Sequence, residues 1–140
     1  MRVSIIMASY NHARYLPAAI NSALAQTYPD TEIVIVDDCS KDDSRQVITQ
    51  FQEKYPDKIK AIFHQTNSGG HGGSVKTGFE NSTGEIIAFL DSDDVWKPNK
   101  LERVVEAFSD TTVMGVMHPL EGATEIAKLL KIGGIIFVER

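Results

Sequence analysis

Four short apolar runs stand out in this chain. They occupy residues 3–8, 32–36, 59–64 and 85–90, and each contains β-branched side chains. Runs that are apolar throughout are typical of strands buried on both faces of a parallel sheet. Because segments with helical periodicity separate them, the sequence predicts an α/β fold, with a mostly parallel sheet and helices on both faces.

The segments between these runs each predict one helix. Apolar positions recur at helical spacing over residues 12–26, with Pro17 in an early turn, where proline is tolerated. The remaining helices are expected after an N-cap at Asp42, Asp43 or Ser44, over residues 73–82, and after Pro98.

Polar clusters follow three of the four runs. They comprise residues 9–11, Asp37 with Asp38, and residues 91–94. In open parallel sheets, ligands bind beyond the carboxyl ends of the strands, and these ends share one edge. The connectivity therefore predicts one binding site to which all three clusters contribute.

The cluster over residues 91–94 contains three carboxylates, on Asp91, Asp93 and Asp94. These groups repel one another unless their charge is offset, and hard oxygen ligands suit Mg²⁺ or Mn²⁺. Such an ion could bridge to a diphosphate and neutralise charge on a leaving group. The alternative is a solvated acidic turn that caps the next helix.

The other two clusters suit a nucleoside. A carboxylate at Asp37 or Asp38 could accept hydrogen bonds from a ribose or a base N–H. Tyr10 could stack on a base, and Asn11 could bond the edge of that base. Each residue also has a purely structural explanation, since aspartate is common in caps and turns and a loop aromatic can pack on the core.

Residues 67–74 are rich in glycine, which lets a backbone approach a ligand closely and frees N–H groups for an anion. The segment has neither the Gly-Lys-Ser/Thr arrangement of a phosphate-binding P-loop nor the position of a dinucleotide fingerprint. A surface loop is the alternative. On this pattern His71 is interpreted as a polar loop residue rather than a catalytic base, and Lys76 as solvated.

The net charge of −5 argues against nucleic acid as a partner. An anionic ligand would then need local help from backbone N–H groups, a helix N-terminus or a cation. The single cysteine, Cys39, allows no internal disulfide and favours a reducing compartment. With no signal-peptide pattern, we expect a cytoplasmic protein, with attachment to the inner face of a membrane left open.

Four stretches in order, residues 3–11, 26–42, 67–78 and 84–94, resemble the family-2 glycosyltransferases. The last stretch carries the Asp-x-Asp motif of that family, and the resemblance covers about residues 1–112. It implies a GT-A fold, which is Rossmann-like and here incomplete. It also implies inverting transfer from a nucleotide-diphosphate sugar, most often a UDP-sugar, to a sugar, lipid-linked or polysaccharide acceptor.

The resemblance also assigns roles by position. The nucleoside pocket would be lined by Ala8, Tyr10 and Asn11, with Asp38 on the uracil edge and Asp37 supporting the turn. Asp91 and Ser92 would lie near the ribose and the diphosphate, Asp93 would be the principal metal ligand beside Asp91, and the cofactor would be Mg²⁺ or Mn²⁺. Lys76 departs from the asparagine of many members and could supply a direct charge contact to the diphosphate.

The resemblance implies a general base in an acceptor-binding half, and no residue of this chain matches it. Neither Asp110 nor Glu121 lies in the right context. We therefore expect residues 1–112 to be a donor-binding half and residues 113–140 to be a divergent tail.

The tail predicts a strand over residues 113–117, a helix over 123–131 and a strand over 135–138. Residues 125–138 resemble a late helix-turn-strand segment of class I SAM-dependent methyltransferases. A divergent family continuation, a fused methyltransferase fragment and a recombined reading frame all remain open.

Two other functions compete with a glycosyltransferase. One is a non-catalytic nucleotide-sugar-binding module, which the unmatched general base favours. The other is a small nucleotidyltransferase or regulatory domain, against which the absence of a glycine-rich loop after the first strand counts. A homo-oligomer or a partner chain is left open.

Overall fold

The computed structural model of the chain describes residues 1–109 and 135–137. Strands and helices alternate in the predicted order, because each apolar run lies between turn-forming residues. In chain order the elements are β1 (Val3–Ser9), α1 (Leu16–Leu24), β2 (Thr31–Asp37), α2 (Ser44–Lys54), β3 (Ile59–Phe63), α3 (His71–Glu80), β4 (Ile86–Phe89), α4 (Lys100–Ser109) and β5 (Ile135–Phe137).

The strands form one sheet in the order β3-β2-β1-β4-β5. The first four strands are mutually parallel, and β5 pairs antiparallel with β4. The predicted fold class, a mostly parallel sheet with helices, is therefore confirmed. Ser9 lies opposite Asp37 in the register, so β1 and β2 end at the same level of the sheet.

The two faces of the sheet are covered differently. Alternate side chains of the central strands, such as Ile5 and Ile33, are buried in a core with residues of α1, α2 and α4. The opposite face of β1 carries Ile6, which lies against α3. There the backbone of Gly78 is so close that an added Cβ would be 2.5 Å from Ile6 Cγ2. Glycine at this position lets α3 pack directly on the middle of the sheet.

Two helices begin at positions other than those predicted. The α1 helix begins at Leu16, not at residue 12, because residues 12–15 form a turn and Pro17 lies in the first helical turn. The α3 helix begins at His71, two residues before the predicted start. Asp43 is the N-cap residue of α2, but its side chain makes no capping hydrogen bond.

A polar network closes the amino end of the sheet. The Ser4 hydroxyl donates to the Glu32 carboxylate and accepts from the backbone N–H of Gly84. The same carboxylate accepts from the backbone N–H and the hydroxyl of Thr83. The Arg2 guanidinium lies 3.6 Å from the other oxygen of Glu32.

A side chain of α2 bonds to the backbone of the edge strand β3. The Oε1 of Gln52, on α2, accepts a hydrogen bond from the backbone N–H of Ala61.

The tail is described only in part. The strand expected over residues 135–138 is present as β5 over Ile135–Phe137. The strand expected over residues 113–117 and the helix expected over 123–131 lie outside the described residues. The division of the chain at residue 112 stays a prediction.

Candidate functional site

A cavity of about 730 Å³ lies beyond the carboxyl ends of β1, β2 and β4, at the N-terminus of α3. Six residues named from the sequence line it: Ala8, Tyr10, Asp38, Asp91, Ser92 and Asp93. Six further residues complete the wall: Ser9, His12, Asn67, Gly70, His71 and Ser74. The topology thus brings all three polar clusters to one place, together with the glycine-rich segment.

Asp38 is the most firmly held acidic side chain of the cavity wall, with only 5% of its surface exposed. Its Oδ1 accepts from the Nδ1 of His64 at 2.8 Å and from the backbone N–H of Ser68 at 2.9 Å, and its Oδ2 accepts from the Ser68 hydroxyl at 2.9 Å. Burial raises the pKa of this carboxyl, but these hydrogen bonds outweigh burial and hold the pKa below its ordinary value. The carboxylate therefore faces the cavity in its ionised form.

Asp37 lies directly before Asp38 but has a different environment. It is fully buried, and its carboxylate accepts from the backbone N–H and the hydroxyl of Ser40. The Nε of Arg45 donates to it at 3.3 Å. The cavity wall does not include Asp37; this side chain instead holds the turn that follows β2.

Asn11 lies on a loop that crosses the same turn. Its Oδ1 accepts from the backbone N–H of Lys41 at 2.8 Å, and its own N–H donates to the Ser40 hydroxyl at 2.9 Å. Asn11 and Cys39 both adopt left-handed backbone conformations, with φ of 53° and 64°. The amide of Asn11 thus connects the two loops beside the cavity, and the cavity wall does not include it.

The turn after β4 presents its carboxylates to solvent. The side chain of Asp91 is 60% exposed and lies 3.7 Å from the Nε2 of His71. Between the two cavity aspartates, Ser92 is buried, and its hydroxyl is 2.6 Å from the Nδ1 of His12. This contact fixes the β4 turn to the loop after β1, so that Asp91 and Asp93 lie on the same wall.

These carboxylates could coordinate a divalent ion only if a bound substrate supplied further coordinating oxygens. Within residues 1–109 and 135–137, no three His, Cys, Asp or Glu side chains are grouped closely enough to hold a metal by themselves. Mg²⁺ is usually bound by one or two carboxylates together with substrate phosphates and water. Asp91 and Asp93 are two such carboxylates on one cavity wall, which matches the number that a site of this kind takes from the protein.

Two buried hydroxyls in the cavity wall lack partners. The Oγ atoms of Ser9 and Ser74 make no hydrogen bond, although the two residues are only 2% and 1% exposed. Ser74 belongs to the first turn of α3, where N–H groups lack partners inside the helix and which contains no acidic residue. An orphaned hydroxyl beside such a helix end suits a ligand rich in hydrogen-bond acceptors.

Among the glycines of residues 67–74, Gly73 is required for side-chain packing and not only for the approach of a ligand to the backbone. An added Cβ at Gly73 would be 2.5 Å from the Ser68 side chain, so glycine here lets Ser68 reach Asp38. Gly69 and Gly70 adopt positive φ values of 79° and 155°.

Lys76 lies in the second turn of α3 and is not part of the cavity wall. Its side chain is 57% exposed and lies 3.9 Å from Glu80.

Several wall residues were not predicted from the sequence. His12 and Ser74 look ordinary in their segments, and His71 was interpreted as a loop residue, yet all three line the cavity. Only the topology brings them together, and a short polar segment at each strand end is the one signal that pointed there. Asp110 and Glu121, considered as general bases, lie outside the described residues.

A protein-family model described as Glycosyl transferase family 2 matches residues 4–129. The chain belongs to glycosyltransferase family 2. An uncharacterized glycosyltransferase from Nostoc sp. (strain PCC 7120) is 61% identical over 121 residues, which are 86% of this chain and 37% of that protein.

Two solved structures share this fold over most of the chain. S. aureus TarS 1-349 in complex with UDP has a TM-score of 0.74 and 29% identity, covering 87% of this chain and 37% of that chain. The mannosyltransferase PcManGT from Pyrobaculum calidifontis, in complex with GDP-Man and Mn²⁺, has a TM-score of 0.74 and 25% identity. The match covers 91% of this chain and 37% of that chain. This family-2 chain therefore spans well under half the length of the relatives and structures that it matches.

The helices within residues 1–109 are short. None of these helices has the length and the apolar character that crossing a bilayer requires.

Proposed function

We propose that this chain is the donor-binding half of an inverting, metal-dependent glycosyltransferase and that its cavity takes a UDP-sugar. Family membership supports nucleotide-sugar chemistry, and a solved relative binds UDP. The observation that carries the proposal is the composition of the cavity wall. Orphaned hydroxyls, a helix N-terminus and two exposed carboxylates line one space of about 730 Å³.

The nucleoside would occupy the side formed by β1 and β2. Tyr10 is 43% exposed, so its ring is available to stack on a base without first leaving the core. The ionised carboxylate of Asp38 would accept from the base N–H. Ala8 adds an apolar wall, while Asn11 and Asp37 hold the loops on which this side depends.

The diphosphate would lie between the β4 turn and the start of α3. The hydroxyls of Ser9 and Ser74 and the first N–H groups of α3 would donate to its oxygens. Asp91 and Asp93 would hold a Mg²⁺ or Mn²⁺ ion, which when bound supplies positive charge to stabilise the leaving diphosphate. Ser92 would keep both carboxylates in place through His12, and Lys76 would need to leave Glu80 to contact the diphosphate.

Calorimetry with UDP, with and without Mn²⁺, tests the metal role. In the presence of Mn²⁺ we expect Asp93→Ala to weaken UDP binding by at least about tenfold, because a charge-assisted ligand is lost. Asp94→Ala is the matched control, since Asp94 is a neighbouring exposed aspartate outside the cavity wall. Equal UDP affinity in both variants, with or without metal, would contradict the proposal.

A second comparison tests base recognition. Asp38→Ala should weaken UDP more than pyrophosphate, because only UDP carries a base. Equal losses for the two ligands would remove this assignment. Measurement of UDP release from a UDP-sugar then separates catalysis from binding, since a non-catalytic module would bind the donor and leave it intact.

A further inference from the structure

Asp38 has little freedom to move. Each carboxylate oxygen can accept about two hydrogen bonds. Oδ1 already accepts from His64 and from the Ser68 N–H, while Oδ2 accepts only from the Ser68 hydroxyl. One acceptor position on Oδ2 therefore remains for a ligand in the cavity.

His64 is itself fixed at both ring nitrogens. Because an ionised carboxylate only accepts, Nδ1 carries the proton in the bond to Asp38. Nε2 lies 2.8 Å from the hydroxyl of Thr77 on α3. The backbone of His64 is held as well, since its N–H donates to Asp37 and its carbonyl accepts from Arg45.

The ring of His64 thus connects two walls of the cavity. Asp38 follows β2, His64 follows β3, and Thr77 lies in the second turn of α3, whose first turn carries Ser74. The Thr77 hydroxyl oxygen also lies 3.1 Å from the carbonyl oxygen of Gly73. The position of the Asp38 carboxylate is therefore tied to the helix that begins at the cavity.

We propose that His64 is a positioning residue for nucleobase selection: it fixes Asp38 so that one acceptor meets a base with a ring N–H, which favours uracil over cytosine. This inference rests on the proposed function. Uracil presents N3–H to an acceptor, whereas cytosine presents a bare N3 that a carboxylate repels. Only a carboxylate that cannot move is unable to turn to the cytosine amino group, so selection requires that Asp38 be held.

Two substitutions separate the two ring contacts. In His64→Asn the amide nitrogen takes roughly the position of Nδ1, so the donor to Asp38 is kept and the link to Thr77 is lost. In His64→Gln the amide lies nearer the position of Nε2, and the donor to Asp38 is lost. Thr77→Val removes the Nε2 partner alone.

Thr49→Val is the matched control for Thr77→Val. The Thr49 hydroxyl donates to the carbonyl four residues earlier, at Arg45, and the Thr77 hydroxyl lies at the same sequence spacing from the carbonyl of Gly73. It lies on α2, outside the cavity wall. A general effect of threonine loss on helix stability would appear equally in both variants.

The experiment is calorimetry on the full chain, with UDP, CDP and pyrophosphate as ligands in Mn²⁺. We expect the wild type to prefer UDP over CDP. His64→Gln should reduce that preference by about tenfold, since a hydrogen bond to a charged group is lost. His64→Asn should retain most of the preference, Thr77→Val should reduce it by a smaller factor, and Thr49→Val and pyrophosphate affinity should not change.

The outcomes distinguish this inference from the proposed function. If the wild type binds neither UDP nor CDP, the proposed function fails. If it binds UDP but His64→Gln and Thr77→Val keep the full UDP preference, the role of His64 is overturned. A loss of pyrophosphate affinity equal to the loss of UDP affinity would also overturn it, because a ligand without a base would then depend on His64 as much as UDP does.

Discussion

Each end of β1 carries a buried serine, but the two serines differ in their hydrogen bonding. At the amino end, Ser4 is fully buried and its hydroxyl both donates to Glu32 and accepts from Gly84. At the carboxyl end, Ser9 is 2% exposed and its hydroxyl has no partner. Since burying an unpaired hydroxyl costs free energy, the carboxyl end is less stable than it could be.

The same contrast holds along β2. Glu32, at its amino end, accepts three hydrogen bonds from Ser4 and Thr83 and lies beside Arg2. Asp38, just past its carboxyl end, keeps one acceptor position open toward the cavity. At the amino end the side chains of Ser4 and Glu32 have protein partners, although the Nε of Arg2 lacks one, whereas at the carboxyl end Ser9 and Asp38 keep hydrogen-bonding capacity open toward the cavity. Substitutions at the amino end should therefore change stability, and those at the carboxyl end should change binding.

The largest expected effect is that of Gly84→Ala, at the amino end. The added Cβ would lie 2.7 Å from the backbone N of Ser4 and 2.8 Å from the backbone O of Arg2, and neither atom can move alone. We expect a loss of about 3 kcal/mol in the free energy of unfolding, measured by urea denaturation.

Gly72→Ala is its control, because an added Cβ there meets nothing within 4 Å. It should leave the free energy of unfolding unchanged or slightly higher, as alanine favours a helix. Gly84→Ala with wild-type stability would show that the amino end is looser than its contacts indicate.

A smaller effect is expected from Glu32→Gln. Hydrogen bonds from Ser4 and Thr83, with the charge of Arg2, outweigh burial and hold the pKa of Glu32 below its ordinary value of 4.5. A lowered folded-state pKa stabilises the protein above the unfolded-state pKa, and this stability is lost as the pH falls through the folded-state value.

Glu32→Gln should therefore cost about 1 kcal/mol near pH 7, since a charged acceptor becomes neutral. The difference from wild type should shrink once the pH falls below about 4.5. Denaturation curves for both proteins between pH 7 and pH 3 measure it. A difference that stays constant over that range would contradict a role for the charge.

The smallest effect on stability, and of opposite sign, is expected for Ser9→Ala. Removal of an unpaired buried hydroxyl should leave the free energy of unfolding unchanged or raise it by up to about 1 kcal/mol. The same substitution should weaken UDP binding. Ser4→Ala, by contrast, should destabilise the protein and leave UDP affinity unchanged. If both variants changed stability and UDP affinity to the same extent, the proposed difference between the two ends of β1 would be wrong.

The strands were predicted from the sequence because β1, β2 and β4 are almost entirely buried and most of their residues are apolar. The position of the cavity was predicted for a related reason, since Asp38 follows β2 directly and Asp93 lies in the turn after β4. The start of α1 was missed because Tyr15 and the residues before it fit the helical periodicity, although the chain forms a turn there.

The different environments of Asp37 and Asp38 were only partly foreseen. Whether a carboxylate turns into the protein or toward the cavity depends on partners such as Ser40, in the same turn, and Ser68, on the loop after β3. The role of His64 had no local signal, because its two ring partners come from segments 26 and 13 residues away. Such contacts are set by the tertiary fold and not by neighbours in the chain.

The contact at the edge strand β3 bears on aggregation at high protein concentration. Unpaired N–H groups along an outer strand can recruit a strand from a neighbouring molecule and so start aggregation. The amide of Gln52 occupies the N–H of Ala61 and removes one such attachment point. A side chain of α2 thus covers one N–H of this strand, and a change at Gln52 would expose that N–H without altering the sequence of the strand.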